Sequence, residues 1–250
     1  MTYAKAHQPR FDRATAAPQS GAPALIERVR SRYQLLEIRR HPQYGAQLYI
    51  DGDLQISESD VVYGAAIAAP AAAAPALRRV AILGGGDGGA LNEVLRTADA
   101  AGAPLETVTL VDIDAEAIAL ARRHLPGVCG RAFDDPRAQV IVRDALAYVR
   151  SARGLDAVIC DLTMEPVRAG QSRSAFMEEI VAHAAAALRP GGIFSVQAGG
   201  TAEHADIIRE LRAVVAARFE QLQEQNVFVP SYEGLWTFIA ARKPAGEATR

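Results

Sequence analysis

Cysteine is nearly missing from this chain: its 250 residues include two, Cys129 and Cys160, too few for a disulfide framework. No apolar run reaches the ~20 residues that span a bilayer. The alanine-rich stretch 65–76 is interrupted by Pro70 and Pro75, which excludes one continuous helix there. A field of one sign is also missing. Lysine and arginine number 27 against 29 aspartates and glutamates, a net charge of -2, so neither nucleic acid nor an anionic membrane is expected as a partner. The five histidines, His7, His41, His124, His183 and His204, lack metal-ligand spacing, and no metal is expected. No G-x-S-x-G elbow is present, which argues against a hydrolase. Residues 1–24 lack the apolar core of a secretory signal and read as a disordered tail, with a cytoplasmic location.

What remains is ordinary globular composition, half apolar and 22% charged. Strand character begins at 33–39 and returns at 47–50 and 54–56, with Asp51-Gly52 between the last two as a hairpin signal. A short helix is expected over 60–69. From Val80 onward short apolar runs alternate with helical patterns: strands at 80–83, 107–111, 139–142, 157–160 and 193–197, helices at 88–98, 115–123, 145–149, 174–188 and 202–217. Such alternation means a parallel sheet covered on both faces. Two closing strands at 223–229 and 236–240, with no long helix between them, complete an α/β, Rossmann-like fold of the seven-stranded methyltransferase type, preceded by a small antiparallel β-unit. The expected organisation is a tail over 1–24, the β-unit and short helix over 25–70, and the catalytic domain over 71–250.

Gly84-Gly85-Gly86-Asp87-Gly88-Gly89 satisfies the G-x-G-x-x-G spacing between a strand and a helix, where the backbone must turn sharply and approach a ligand without a Cβ in the way. Asp112, at the end of the next strand, lies near the ~20 residues expected for a carboxylate on a ribose. Asp87 inside the loop disfavours a pyrophosphate and favours a ligand carrying a sulfonium and an ammonium; Asp87 can also cap the following helix. Carboxylates recur at successive strand ends: Asp87, then Asp112 and Asp114, then Asp144, then Asp161 with Glu165. Their mutual repulsion requires a positive partner, and the ligand is the natural one. Asp144 with the Ala145 backbone is placed for an adenine edge. Asp161, at the centre of the crevice, can bind an ammonium and take its proton as attack begins.

At these residues the chain resembles the spermidine synthase (polyamine aminopropyltransferase) family. The loop with Glu93-Val94-Leu95 looks like the family's cofactor signature, Val111-Asp112-Ile113-Asp114 is similar to its Val-Glu-Ile-Asp, and Asp135-Pro136-Arg137 followed by Asp144-Ala145 matches its next block. Ser31-Arg32-Tyr33-Gln34, the segment Leu48 to Gln55, Val229-Pro230-Ser231-Tyr232 and Trp236-Thr237-Phe238 extend the likeness over most of the chain. The resemblance implies transfer of an aminopropyl group from decarboxylated S-adenosylmethionine to a di- or polyamine, with release of methylthioadenosine. It implies that Gln34, Gly84, Gly85, Gly86, Asp87, Gly88, Asp112, Ile113, Asp144, Ala145 and Asp161 hold the co-substrate. Asp161 would be the base, Tyr63 and Tyr232 would line the amine channel or assist it, and Glu165 and Gln197 would touch the acceptor. A homodimer or homotetramer built through the N-terminal β-unit is implied as well.

Two segments depart from the family pattern. After Tyr63 stand Gly64 and Ala65, where the family usually has His or Gln and then Glu. The Asp-Ser/Thr-x-Asp-Pro block reads Asp161-Leu162-Thr163-Met164-Glu165-Pro166, followed by Arg168 and Arg173. A nonstandard acceptor, or weak activity on putrescine, is the expectation. The rival readings are an S-adenosylmethionine-dependent methyltransferase, an aminocarboxypropyl transferase, and a pseudoenzyme that binds the nucleoside without reaction. Asp161 argues against the last.

Overall fold

A computed structural model describes residues 21–163 and 171–245. Four antiparallel strands come first: β1 (Ala24–Arg30), β2 (Leu35–His41), β3 (Gly45–Ile50) and β4 (Asp53–Ser57), paired in sequence order. Asp51 and Gly52 both have positive φ, +50° and +96°, as the two-residue hairpin turn between β3 and β4 requires. β1 is an element that alternation did not reveal, because its residues are largely exposed and it pairs only with β2.

Helix α1 (Val61–Ala68) follows, and the chain tightens into a 3-10 turn at Ala69–Ala73, where Pro70 falls at the start of the tighter turn rather than inside the α-helix. The large domain then runs β5 (Arg79–Gly84), α2 (Gly89–Ala101), β6 (Thr107–Asp112), α3 (Ala115–His124), the single turn α4 (Pro126–Cys129), β7 (Ala138–Val142), α5 (Ala145–Ser151), β8 (Leu155–Asp161), α6 (Arg173–Ala187), β9 (Leu188–Gly200), α7 (Ala205–Ala216), β10 (Glu220–Val229) and β11 (Gly234–Arg242). The turn α4 and a 3-10 turn at Ala132–Asp134 were not anticipated; both fall in a stretch too short for periodicity to register.

The seven strands of the large sheet lie in the order β10-β11-β9-β8-β5-β6-β7, with β11 antiparallel to both of its neighbours. The expected seven-stranded α/β architecture is therefore present. β5 is central and buried along nearly all its length, as an apolar run covered on both faces should be. Val80 and Ile82 face one apolar cluster with α1, α2 and α3, while Ala81 and Leu83 face a second with α5, α6 and α7. The chain leaves β5 toward β6 on one side and β8 pairs on the other, so the switch in strand order falls between β5 and β8. Ligands of open α/β sheets bind at the carboxyl ends of the strands at that switch.

Candidate active site

Register brings the glycine loop and the central carboxylate together: Gly84 of β5 pairs with Asp161 of β8. Gly84 and Gly85 adopt φ of +82° and +69°. A Cβ on Gly84 would stand 2.3 Å from the Asp161 carbonyl oxygen, and one on Gly85 3.0 Å from Asp161 Oδ2. The loop is glycine because its backbone packs directly on the aspartate. Gly86 plays the same part for the second strand end: its N–H donates to Asp112 Oδ2 at 3.0 Å, and a Cβ there would meet that oxygen at 2.8 Å. Gly88, at φ +82°, opens α2, and Asp87 Oδ1 accepts the Gly89 N–H at 2.8 Å. Asp87 thus caps the helix and also lines a pocket shared with Asp60, Tyr63, Gly64 and Glu93.

Asp112 ends β6, and its Oδ1 accepts from Asp114 N at 2.8 Å. Asp114, which is buried, caps α3 through the Glu116 amide and receives the Ser31 hydroxyl at 2.6 Å and Gln34 Nε2 at 3.0 Å. Gln34 therefore comes to the strand ends with its amide nitrogen turned to Asp114. Since a carboxylate can only accept, the orientation of that amide is set. Ile113 lies half-buried between the two aspartates. Asp144 caps α5 by accepting from Ala147 N at 2.8 Å, and Ala145 is the first residue of that helix.

Around Asp161 the groups that act on one another are mostly carboxylates. Desolvation, then the charge of Asp87, then that of Asp112 push its carboxyl up to about 7, against a lowering contribution from the Tyr63 hydrogen bond. Asp87 and Asp112 are raised as well, by desolvation first. The Tyr63 hydroxyl donates to Asp161 Oδ1 at 2.8 Å, while the Tyr232 hydroxyl donates to the Gln55 carbonyl. Burial and the nearby carboxylates hold both phenols well above their ordinary range, so both remain donors. The Tyr63 ring meets Phe238 at 5.0 Å and Tyr232 at 6.3 Å, both edge-on, and Trp236 lies 4.8 Å from Tyr232. Gln197 supports this wall: its Nε2 donates to the Leu162 carbonyl at 2.6 Å and its Oε1 accepts from Trp236 Nε1 at 3.1 Å. Glu165 and Arg168 lie outside the described residues. Cys160, beside Asp161, is buried with its thiol pushed up to about 12, which makes it a packing residue rather than a nucleophile.

Two features were missed in the sequence. The ring cluster includes Trp236, whose strand position showed but whose neighbours did not. Asp60 reads in sequence only as the start of a short helix, yet its carboxylate reaches a turn 171 positions away, a partnership without a local signal.

Gly64 has a packing reason. A Cβ there would stand 3.0 Å from the carbonyl carbon and oxygen of Gly89, so α1 and α2 approach through two glycines. A side chain at that position requires α1 and the Gly89 backbone to give by a few tenths of an ångström.

The arrangement matches known proteins. A family model described as the spermine/spermidine synthase domain covers residues 61–249. The polyamine aminopropyltransferase of Aeropyrum pernix is 37% identical over 223 residues, 87% of this chain and 68% of that protein. The polyamine aminopropyltransferase of Halorhodospira halophila is 37% identical over 222 residues, covering 85% and 77%. Among solved structures, spermidine synthase from Thermotoga maritima superposes with a TM-score of 0.77 at 26% identity, over 89% of this chain and 73% of that one. A spermidine synthase in complex with the transition-state analogue AdoDATO gives the same values.

Proposed function

The chain belongs to the spermine/spermidine synthase family, and on that premise we propose how its own residues divide the work and which acceptors it takes. It is an aminopropyltransferase that uses decarboxylated S-adenosylmethionine as co-substrate. The observation that carries the reading is the group of carboxylates Asp87, Asp112 and Asp161: desolvation raises all three carboxyls, and the charge of Asp87 adds to the rise at Asp112 and Asp161. A sulfonium and an ammonium relieve that repulsion. An α-carboxylate, as in S-adenosylmethionine itself, would add to it, which favours the decarboxylated form over a methyl or aminocarboxypropyl donor.

Asp112 and Gln34 hold the ribose side in this reading, with Ile113 against the base, Asp144 and the Ala145 amide on the adenine edge, and Asp87 on the propyl ammonium. The acceptor enters along Tyr63, Tyr232 and Trp236, with Gln197 bracing the far wall. Asp161 binds the attacking ammonium and accepts its proton while Tyr63 holds Oδ1. As the nitrogen bonds to the propyl carbon, the C–S electron pair returns to sulfur and methylthioadenosine leaves.

The acceptor is nonstandard. Gly64 supplies no side chain to the channel, and the segment after Asp161 departs from the family pattern. Steady-state rates with putrescine, spermidine, cadaverine and agmatine test this: the highest kcat/KM is expected for an amine other than putrescine, and efficient turnover of putrescine alone sinks it. A homodimer or homotetramer through the small sheet is part of the proposal, supported by Leu25 and Ile26, both exposed on its outer strand, and tested by light scattering on the eluting protein. A cytoplasmic location agrees with two free, buried cysteines.

A further inference from the structure

An aspartate that opens a helix ordinarily accepts the amide hydrogens of the first turn. Asp60 opens α1 and makes no such bond. Its Oδ1 accepts instead from Ser231 N at 2.9 Å and from the Ser59 hydroxyl at 3.0 Å, and its Oδ2 from Ser57 N at 2.8 Å and from the Ser231 hydroxyl. The residue is 1% exposed. Four donors therefore converge on one buried carboxylate, from the end of β4, from its own neighbour, and from the turn between β10 and β11. Hydrogen bonds to an ionised acceptor are the strong ones, and their loss in a buried place leaves donors stranded.

What Asp60 holds is the pair of tyrosines. Ser231 immediately precedes Tyr232, and the Asp60 carbonyl accepts the Tyr63 amide at 2.8 Å. Asp60 thus meets Tyr63 through its main-chain carbonyl and the residue before Tyr232 through its carboxylate, and Trp236 packs against both rings, 4.8 Å from Tyr232 and 6.4 Å from Tyr63. We infer that Asp60 is a positioning residue for the acceptor amine: by tying Ser231 to the start of α1 it sets the spacing of Tyr63 and Tyr232 and so the width of the channel that ends at Asp161. The inference rests on the proposed reading that these tyrosines line the acceptor's path. The nucleoside side is built on other elements, since Asp112 and Asp144 are held by Gly86, Asp114 and Ala147.

The discriminating variant is D60N, which keeps the shape and replaces an accepting oxygen by a donating nitrogen. That nitrogen faces either the Ser57 or the Ser231 amide, so one of the two loses its partner. S231A, which removes only the hydroxyl, is the milder companion should D60N fail to fold. In both variants, rates are measured with acceptor and co-substrate varied separately, methylthioadenosine binding is measured by calorimetry, and the fluorescence of Trp236, the one tryptophan in the sequence, is recorded. For D60N the acceptor KM is expected to rise about tenfold, with methylthioadenosine affinity held within about twofold, a separation equivalent to one decade of binding. S231A is expected to shift in the same direction by less, and the double variant to fall short of the sum. Trp236 emission is expected to move in each. An unchanged acceptor KM, or equal losses for acceptor and nucleoside, overturns the inference. If the parent protein transfers to no amine, it is the assigned reaction that fails; Asp60 is then judged by Trp236 alone, and an unchanged spectrum in D60N overturns its role.

Discussion

The Tyr63 hydroxyl donates a 2.8 Å hydrogen bond to Asp161 Oδ1 across 98 positions of sequence, joining the first helix to the fourth parallel strand at the point where the strand order switches. The bond occupies one oxygen of the carboxylate, and the other is the one proposed to meet the ammonium. It also opposes, without overcoming, the effect of desolvation and of Asp87 on that carboxyl.

Replacing Asp161 by asparagine removes the proposed proton acceptor and keeps the shape. Turnover is expected to fall about 10²- to 10⁴-fold, the usual worth of a positioned general base. Methylthioadenosine is neutral and has no need of that charge, so its affinity measured by calorimetry should change little. An equal loss of nucleoside binding and turnover would show that Asp161 is a structural residue.

The acidity of Asp161 predicts two pH effects. In the empty enzyme its carboxyl sits at about 7. In the proposed role the ionised form is the base, so kcat/KM is expected to climb with pH through about 7 and level above it, and the D161N profile should lose that limb. Folding runs the other way. The folded-state value lies above the ordinary 3.8, so the native chain holds this proton more tightly than the unfolded one. The resulting stabilisation is full below about 4 and disappears as pH rises through 7. The difference in melting temperature between parent and D161N should therefore depend on pH across that window, measured without ligand.

G86A tests the ribose side. The new methyl would meet Asp112 Oδ2 at 2.8 Å, and that carboxylate is pinned from its other oxygen by Asp114 N. Relief requires Asp112 to shift, at a cost of about 1–3 kcal/mol of the kind overpacking exacts. The expected result is a raised KM for decarboxylated S-adenosylmethionine with a nearly unchanged acceptor KM. Equal changes in both would place Asp112 away from the nucleoside.

D114N addresses the join between the two sheets. Asp114 accepts from Ser31, Gln34 and the Glu116 amide at once, and an amide nitrogen in place of one oxygen breaks at least one of these. Asparagine still caps α3 through the Glu116 amide, so a loss of about 1–2 kcal/mol of stability is expected from the disturbed Ser31 and Gln34 bonds to the other oxygen. Chemical denaturation reads it. Release of Gln34 should also weaken nucleoside binding.

Much of this site was legible because its parts are local. The glycine run, the aspartate inside it, and carboxylates closing short apolar strands are each set by a few consecutive residues, and the parallel sheet follows from the alternation of strands with helices. What stayed hidden is what distant segments do to each other. β1 is largely exposed and pairs with one neighbour, so its sequence lacks the alternation of a half-buried strand. The contact that turns the Gln34 amide nitrogen to Asp114, 80 positions away, has no local signal. Gly64 appeared as a missing side chain, whereas in the fold it is the condition for α1 to approach Gly89.

The bond between Asp60 and Ser231 also carries an order in time. A ribosome delivers the helix bearing Tyr63 long before the turn bearing Tyr232, and the Ser231 donors to Asp60 do not exist until the last hairpin has emerged. The strand ends of β5 to β8 are synthesised well before that turn. The last hairpin thus finishes both the sheet, whose β11 lies between β9 and β10, and the wall that carries Tyr232.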